Sequence, residues 1–276
     1  MSSELFTSTK ERTARRRRPV EYPEGDGKPM AETDPHVLQI SLTFLTMRFW
    51  FRAEPEAYVG ANMFLYYEEG KPKRRVAPDI FVVRGVTKEP RRSFKLWEEK
   101  HSPQVVIEMT SRKTKEEDLG KKRAVYSSIG VEEYYLFDPL RHYLNPPLRS
   151  YRLVGEGESM LLPVEMLSPP LLEAAEQAML RTDAEAFRSR SEQLGLDLWA
   201  LPTHERKRPF VLRFYDPVGK RWVSDPEHTM VKTQSLELAI QETLAAVTME
   251  TQARQAAEAE NARLRAELER LRANST

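Results

Sequence analysis

The sequence predicts an α/β protein in which a mixed β-sheet is flanked by helices, with additional β-hairpins and a long C-terminal helix. Three apolar runs, 80–83, 105–107 and 134–137, are rich in β-branched and aromatic residues and have the length of strands buried on both faces. A polar segment with helical end signals separates the second run from the third. The region after about Lys232 lacks glycine and proline and is rich in Ala, Glu, Arg and Leu, which favours one long helix.

These patterns divide the chain into three parts. Residues 1–29 are predicted to be a basic arm, residues 30–231 the α/β domain, and residues 232–276 the C-terminal helix. The arm contains Arg15, Arg16, Arg17 and Arg18 followed by several prolines and glycines, so it cannot bury enough apolar area to order itself. The four arginines either bind nucleic-acid phosphates or form a solvated tail.

Composition excludes several classes of protein and site. Hydrophobic residues make up 40% of the 276 residues, which supports a real core, and the net charge of +1 gives no global attraction to nucleic acid. Because the chain has no cysteine, it has no disulfide, no cysteine-ligated zinc and no thiol nucleophile. The five histidines lack metal-ligand spacing. No secretory signal and no apolar run of about 18 residues is present, so a cytoplasmic protein without a membrane span is expected.

A first helix is predicted from Asp34 to about Phe51, with Asp34 as N-cap and Pro35 at the first helical position. We expect its apolar face to lie against the sheet. That face comprises Leu38, Leu42, Leu45 and Phe49, broadened by Val37, Ile40, Phe44 and Met47.

Two acidic residues stand at the ends of neighbouring apolar runs. Asp79 precedes the first run and Glu108 ends the second. A carboxylate at the edge of a buried strand is costly unless it is paired or binds a cation. If the two strands are neighbours, both carboxylates can bind one Mg²⁺, which takes oxygen ligands and usually keeps several waters. The alternative is that both are ordinary strand-end residues in turns or caps.

The segment that follows Glu108 predicts a helix of about fifteen residues. Thr114 and Glu117 have capping-box spacing, and Gly130 stands where a left-handed residue ends a helix. At 100° per residue, Lys122 lies on the apolar stripe that includes Tyr126, so it faces the sheet. An ammonium group there could orient a nucleophile and stabilise charge that develops on phosphorus. The alternative is a lysine that snorkels past the helix edge.

Further β structure is predicted around this core. Residues 58–60 and 63–67 resemble the arms of a hairpin, and strands are expected within 143–165, 194–201 and 210–223. The long loop 85–102 contains Arg91, Arg92 and an aromatic residue, a pattern that either lines a DNA channel or solvates the loop.

The C-terminal segment carries a heptad pattern that predicts a parallel coiled-coil homodimer. Asn261 lies at a core position among leucines, which favours two parallel strands. Glu250 and Arg254 place charged side chains at core positions in the middle of the segment, which weakens a coiled coil. The alternative is therefore a lone charged helix. The core positions are Leu236, Thr243, Glu250, Ala257, Leu264 and Leu271, alternating with Ile240, Val247, Arg254, Asn261 and Leu268.

Taken together, the motifs of residues 22–200 resemble the Uma-type family of restriction endonucleases, a branch of the PD-(D/E)XK nuclease superfamily. The resemblance is carried by Val59-Gly60, Tyr66-Tyr67, Ala77-Pro78-Asp79, Val106-Ile107-Glu108-Met109-Thr110-Ser111, Asp118-Leu119-Gly120-Lys121-Lys122 with Tyr126, and residues 130–139.

This resemblance implies a restriction-endonuclease-like core that hydrolyses phosphodiester bonds in DNA with Mg²⁺ or Mn²⁺. Asp79 and Glu108 would then bind the metal, with the Met109 carbonyl completing the site. Lys122 would position or activate the attacking water, and Tyr126, as an auxiliary residue, would support that lysine or contact phosphate. The superfamily motif expects lysine two residues after Glu108, where this sequence has Thr110, and the resemblance assigns that role to Lys122. A nuclease fold without activity, assembled as a DNA-binding scaffold through the coiled coil, is the alternative.

The same resemblance assigns auxiliary roles to two residues at the start of the first helix. Glu32 would be a further acidic residue near the metal, and His36 would contact substrate. Without the resemblance, both are ordinary first-turn residues, since acids favour that end of the helix dipole.

Overall fold

A computed structural model describes residues 20–25, 33–155, 158–172, 180–181 and 183–224, together with the single positions 226, 229, 233 and 241. Arg15 to Arg18 and most of the predicted arm therefore lie outside the described residues. Residues 20–25 of that arm are ordered on the domain, contrary to the prediction, since Tyr22 packs against Tyr66 and Trp97. Glu32 and the coiled-coil positions of residues 232–276 lie outside the described residues as well.

The described chain forms a mixed α/β structure with three sheets. The helices are α1 Asp34–Trp50, α2 Leu96–Glu99, α3 Lys115–Glu117 and α4 Arg123–Ser128, with a 3₁₀ turn at Phe51–Ala53 and a π-helical turn at Asp118–Lys122. The strands are β1 Ala57–Ala61, β2 Leu65–Tyr66, β3 Arg75–Val76, β4 Ile80–Arg84, β5 Phe94–Lys95, β6 Val105–Met109, β7 Glu133–Phe137, β8 Leu148–Gly155, β9 Glu158–Leu161, β10 Glu165–Leu167, β11 Ala186–Ser191, β12 Leu196–Pro202, β13 Phe210–Asp216 and β14 Arg221–Trp222.

The main sheet has six strands in the order β1-β4-β6-β7-β8-β9. Strands β6 and β7 are parallel and are connected through α3 and α4, whereas β4 is antiparallel to both β1 and β6. The sheet is therefore mixed, as predicted. The hairpin predicted for 58–60 and 63–67 does not form, because β1 pairs with β4 while β2 pairs with β3 and β5 in a separate three-stranded sheet.

Alternating residues of the central strands face two hydrophobic cores. Ile80, Val105 and Ile107 face a core shared with α1 and the five-stranded sheet β10–β14. Phe81 and Val106 face the opposite core, which includes Tyr126 of α4. The face that carries Glu108 is therefore the one that the α3–α4 segment covers.

A buried carboxylate ties the five-stranded sheet to the main sheet. Glu133 of β7 accepts hydrogen bonds from the Tyr135 hydroxyl at 3.0 Å and the Ser191 hydroxyl at 2.5 Å, and from the backbone N–H groups of Glu192 and Gln193. These donors satisfy a group that would otherwise be costly to bury.

Helix α1 packs on the main sheet, but not through the predicted stripe. The N-cap is Thr33, and Asp34 is the first helical residue. Ile40 and Met47 are buried as expected, and they share the buried face with polar residues such as Gln39. The predicted stripe faces the other way, since Leu38, Leu45 and Phe49 are exposed.

Candidate active site

Asp79 and Glu108 lie side by side on one face of the main sheet, where the central strands β4 and β6 begin and end. Because Ile80 pairs with Ile107 in antiparallel register, Asp79 lies opposite Glu108, one residue outside the paired segment. The Asp79 backbone N–H donates to Glu108 Oε2 at 3.3 Å, and the Met109 N–H donates to Asp79 Oδ2 at 2.7 Å. These reciprocal bonds fix both carboxylates at the point where strand β4 begins and β6 ends.

Lys122 reaches this pair from the helix that follows β6. Its Nζ lies 3.0 Å from Glu108 Oε2 and 2.9 Å from Asp118 Oδ1. The Lys122 side chain is only 15% exposed, and both carboxylate partners are fully buried. The predicted convergence of Asp79, Glu108 and Lys122 is therefore observed, and the snorkelling alternative for Lys122 does not hold.

The local backbone that presents Lys122 differs from the predicted regular helix. Residues Asp118–Lys122 form a π-helical turn between α3 and α4, and π-helical turns are frequent at functional sites. Gly130 has the predicted left-handed conformation, with φ of 84°. Thr114 makes no capping bond to the helix, because its hydroxyl accepts instead from the Ser111 N–H at 3.1 Å.

Two buried tyrosines donate hydrogen bonds at the site, one to the Glu108 carboxylate and one to the backbone of Asp118. The Tyr126 hydroxyl donates to Glu108 Oε1 at 2.6 Å, and the Tyr134 hydroxyl donates to the Asp118 backbone carbonyl at 3.0 Å. Burial, with Glu108 adding to it, holds the pKa of Tyr126 well above its usual value. Tyr126 is therefore a permanent hydrogen-bond donor to Glu108, not a candidate base.

Burial governs the protonation of the acidic groups. It raises the pKa of Glu108 to about 7; Lys122 opposes this effect and Asp79 adds to it. Burial likewise raises the pKa of Asp118 to about 6. Burial lowers the pKa of Lys122, but Glu108, Asp118 and Asp79 together outweigh it, so its pKa lies above the ordinary value. Lys122 therefore offsets the charge of two buried carboxylates at once, those of Glu108 and Asp118.

This donor set fits a hard divalent ion. Among the described residues no group of three or more His, Cys, Asp or Glu side chains has metal-ligand geometry. Mg²⁺, however, is commonly bound through one or two carboxylates together with waters and substrate phosphate oxygens. Asp79 and Glu108 supply two carboxylates, and a bound cation would stabilise the charged form of Glu108, which burial disfavours.

His36 is the auxiliary residue that the structure brings to the site. It lies in the first turn of α1, is buried, and places Nε2 3.9 Å from Asp79 Oδ2. It also lines a cavity of about 350 Å³ with Thr110, Ser111 and Arg112. His36 is therefore positioned between Asp79 and a cavity into which a substrate could extend.

The predicted nucleic-acid-binding residues of the loop 85–102 lie away from these contacts. Arg91 is largely buried, donates to Glu99 at 2.6 and 2.8 Å, and stacks over the Tyr58 ring. Arg92 is exposed and pairs with Glu24 at 2.5 Å. Arg91 thus has a clear structural role in holding its loop, whereas Arg92 is accessible.

Comparison with known proteins decides the family. A model of the Uma2 family, which carries the description "Putative restriction endonuclease", matches residues 9–181, more than half of the chain. The chain belongs to the Uma2 family. No protein with a curated description matches the chain.

One solved structure that resembles this Uma2-family chain is a crystal structure of a putative nuclease belonging to DUF820 from Anabaena variabilis. The two chains are 17% identical, with 52% of this chain and 75% of the other covered, and the TM-score is 0.37. Within the described residues, no helix is long and apolar enough to cross a membrane.

A strongly basic cavity lies beside Lys122 and was not predicted from the Uma2 motifs. It has a volume of about 960 Å³ and is lined on one side by the connection between β2 and β3 and on the other by α3 and α4. Six cations and one carboxylate line it. Because Glu68 pairs with Lys71 and Arg74, and Glu108 and Asp118 pair with Lys122, its excess of positive charge rests mainly on Lys73, Arg75 and Lys121. The charged lining residues are Lys71, Lys73, Arg74, Arg75, Lys121, Lys122 and Glu117.

Asp118 is the site residue that motif reasoning did not single out. It is the first residue of the motif Asp118-Leu119-Gly120-Lys121-Lys122 that supports the family resemblance. The sequence feature that could have identified it is its i,i+4 spacing to Lys122, which places the two side chains together on a helix. The signal for the cavity was the cluster Lys71-Pro72-Lys73-Arg74-Arg75 directly before the segment of Asp79. Neither signal identifies a site without the fold, because such clusters also occur on solvated loops.

Proposed function

We propose that this protein is a metal-dependent endonuclease that hydrolyses phosphodiester bonds in DNA. The observation that carries the proposal is the buried contact of Lys122 with Glu108 at 3.0 Å, beside Asp79, at the rim of a basic cavity. Two carboxylates that can hold a divalent ion, together with one ammonium group, are the parts needed to position a phosphodiester group and offset its negative charge.

In this proposal Asp79 and Glu108 would hold Mg²⁺ or Mn²⁺, and by analogy with the family the Met109 carbonyl would be a further oxygen ligand. The ion, when bound, would act as a Lewis acid on a phosphate oxygen. Lys122 orients the attacking water and stabilises negative charge on the phosphate oxygens. Asp118 and Tyr126 act through their neighbours, because Asp118 holds the Lys122 ammonium group and Tyr126 fixes the orientation of Glu108.

The central test is cleavage of supercoiled plasmid by the full chain. We expect nicking with Mg²⁺ or Mn²⁺ and none with EDTA, measured by agarose-gel electrophoresis. Unchanged DNA together with intact DNA binding would support the alternative, an inactive nuclease-fold scaffold. Cleavage restricted to RNA or to branched DNA would contradict the choice of substrate but not the hydrolytic chemistry.

The basic cavity supports nucleic acid as the substrate. Lys73 and Arg74 are exposed and line the same cavity as Lys122, where they can contact DNA phosphates. Glu68 pairs with Lys71 and lies 3.6 Å from Arg74, which holds this loop in shape without neutralising it. Phosphate contacts of this kind supply affinity that does not depend on sequence.

Replacing Lys73 and Arg74 together by glutamine is expected to weaken DNA binding about tenfold and to lower the slope of log K against log salt by about 2. Turnover at saturating DNA should change little, because neither side chain contacts Glu108 or Asp79. Binding is measured by fluorescence anisotropy at several salt concentrations. Lys220 and Arg221, at the β13–β14 turn and outside the cavity, provide the matched Lys-Arg control. An equal effect in both double variants would show that the cavity is not the binding surface.

A further inference from the structure

The cavity that His36 lines adjoins the candidate active site and is small. Its volume of about 350 Å³ is near the lower end of the roughly 300–1,000 Å³ of ligand pockets, so it can hold one nucleotide but not a duplex. His36 Nε2 lies 3.9 Å from Asp79 Oδ2, and Thr114 lines both this cavity and the basic cavity beside Lys122. A ligand in the His36 cavity would therefore lie next to the groups proposed to act on the phosphate.

Thr110 presents a buried hydroxyl group to the His36 cavity. Its backbone N–H donates to the Phe137 carbonyl at 2.8 Å, which continues the pairing of β6 with β7. The Thr110 side chain therefore points to the same face of the sheet as that of Glu108, two residues earlier. Thr110 is 2% exposed, and its Oγ1 has no hydrogen-bond partner among the described residues. An unpaired buried hydroxyl group costs free energy, so this group is available to a ligand.

Another part of the lining is apolar and aromatic and is held in place by a buried carboxylate. Pro139, Leu140 and Tyr143 form this part. Asp138 accepts hydrogen bonds from the backbone N–H groups of Leu140 and Leu144 at 3.0 Å each, and from that of Tyr143. Tyr143 itself is only half-buried. A fixed and accessible aromatic ring offers a surface on which an unpaired nucleobase can stack.

The charge of the lining suits a phosphate group. Arg112 and Lys113 contribute two exposed cations, and no carboxylate from the described part of the chain lines the cavity. Cations attract phosphate, the aromatic wall suits a base, and a hydroxyl group can donate to polar atoms of the base or sugar. A single nucleotide of a DNA strand combines these three features.

We propose that the His36 cavity seats one unpaired nucleotide of the DNA strand that is cut, next to the cleaved bond. The base stacks on Tyr143, the Thr110 hydroxyl donates to the nucleotide, and Arg112 contacts a neighbouring phosphate. This role rests on the proposed nuclease function and adds a substrate class to it. DNA with an unpaired nucleotide is preferred to a fully paired duplex, because taking a paired base out of the stack costs free energy that an unpaired base does not.

Binding in the absence of metal tests this preference, because EDTA prevents the proposed cleavage. Three short fluorescent duplexes of the same sequence are compared. One is fully paired, one carries a single unpaired thymidine, and one carries an abasic residue in place of that thymidine. Fluorescence anisotropy with the full chain should show about tenfold tighter binding of the duplex with the unpaired thymidine than of the other two.

Thr110→Val removes the hydroxyl group and nearly keeps the shape of the side chain. We expect it to lose most of the preference for the unpaired thymidine. The melting temperature of the free protein should stay unchanged or rise, because no hydrogen bond within the described fold is lost. Thr87→Val is the matched control and should keep the preference, since Thr87 is exposed in the loop 85–102 and does not line the cavity.

Tyr143→Leu should also lose the preference, whereas Tyr143→Phe should keep it, because only the first of these variants lacks the aromatic ring. The melting temperature of each variant is measured beside its binding, so that loss of the fold is not mistaken for loss of the contact.

Several results would overturn the proposal. One is equal binding of the paired duplex and the duplex with the unpaired thymidine by the wild type, and another is equal binding of the thymidine and abasic duplexes. A third is a full preference in both Thr110→Val and Tyr143→Leu, which would place the unpaired base elsewhere. Failure of the nuclease proposal is distinguishable from all three, since it appears as uncut plasmid in the presence of Mg²⁺ and not in metal-free binding.

Discussion

The Glu108→Gln variant is expected to lose metal-dependent cleavage by about 10³-fold or more, which corresponds to roughly 4 kcal/mol of the activation barrier. Glutamine keeps the shape of the side chain and can still accept from Tyr126. It removes, however, the buried negative charge that faces Lys122 and the proposed ion. Asp79→Asn should have an effect of the same size, since Asp79 and Glu108 are the two carboxylates that would hold the metal.

Thermal unfolding distinguishes variants that no longer bind the metal ion from variants that no longer fold. Mg²⁺ should raise the melting temperature of the wild type, because a ligand that binds only the folded state stabilises it. This shift should disappear in Glu108→Gln and Asp79→Asn while the metal-free proteins remain folded. Glu116→Gln provides the control, because Glu116 is exposed on the same helical segment and should retain both the shift and the activity. A full Mg²⁺ shift in Glu108→Gln would contradict the assignment.

The same measurement has a defined pH dependence. Burial raises the pKa of folded Glu108 to about 7, above the ordinary value of 4.5, so the folded protein holds this proton more tightly than the unfolded chain. Without metal, the contribution of Glu108 to stability therefore falls as the pH rises from about 4.5 through 7. A divalent ion replaces the proton, so the Mg²⁺-dependent increase in melting temperature should be larger at pH 8 than at pH 6.

The residues that converge at the site could be predicted from the sequence, whereas the packing of helix α1 could not. Asp79, Glu108 and Lys122 converge as predicted because strand alternation and helical periodicity are local rules that fix the direction of each side chain. The π-helical turn at Asp118–Lys122 was not predictable, since no local signal distinguishes it from a regular helix. It nevertheless leaves Lys122 directed at Glu108, as the α-helical periodicity suggested.

Helix α1 shows where periodicity fails. Its stripe of leucines was assigned to the core because it is the more apolar face, yet the sheet covers the face that contains Gln39, Ile40 and Met47. The reason is tertiary: Gln39 satisfies the backbone of Leu212 on a strand that is far away in sequence. A buried glutamine cannot be told from a solvent-facing one until that partner is known.

The two-stranded interpretation of residues 58–67 fails for a related reason. Strand β1 is compatible with either β2 or β4 as a partner, and a short turn between apolar runs favoured β2. In the structure β4 pairs with β1 along five residues, which buries both strands in the main sheet. The longer pairing satisfies more backbone groups than the two-residue strand β2 could.

Replacing Lys122 by methionine should lower turnover about 10²- to 10³-fold at saturating DNA and Mg²⁺, because the charge aimed at the reacting phosphate is removed while the apolar stem is kept. Lys121→Met provides the matched control. Lys121 is the adjacent lysine, is exposed, and lies outside the contacts with Glu108 and Asp118. It lines the basic cavity, so its loss should weaken DNA binding slightly but leave turnover at saturating DNA near the wild-type value.

The Lys122 variant also has a stability signature that a simple loss of surface charge would not produce. Without the ammonium group, Glu108 and Asp118 are buried with less compensation, so their pKa values should rise further above about 7 and about 6. Metal-free Lys122→Met should therefore be close to the wild type in stability at pH 5 and clearly less stable at pH 8, whereas Lys121→Met should follow the wild type at both. Wild-type turnover by Lys122→Met, with this pH-dependent loss of stability present, would mean that Lys122 serves the fold and that the cation acting on the phosphate lies elsewhere.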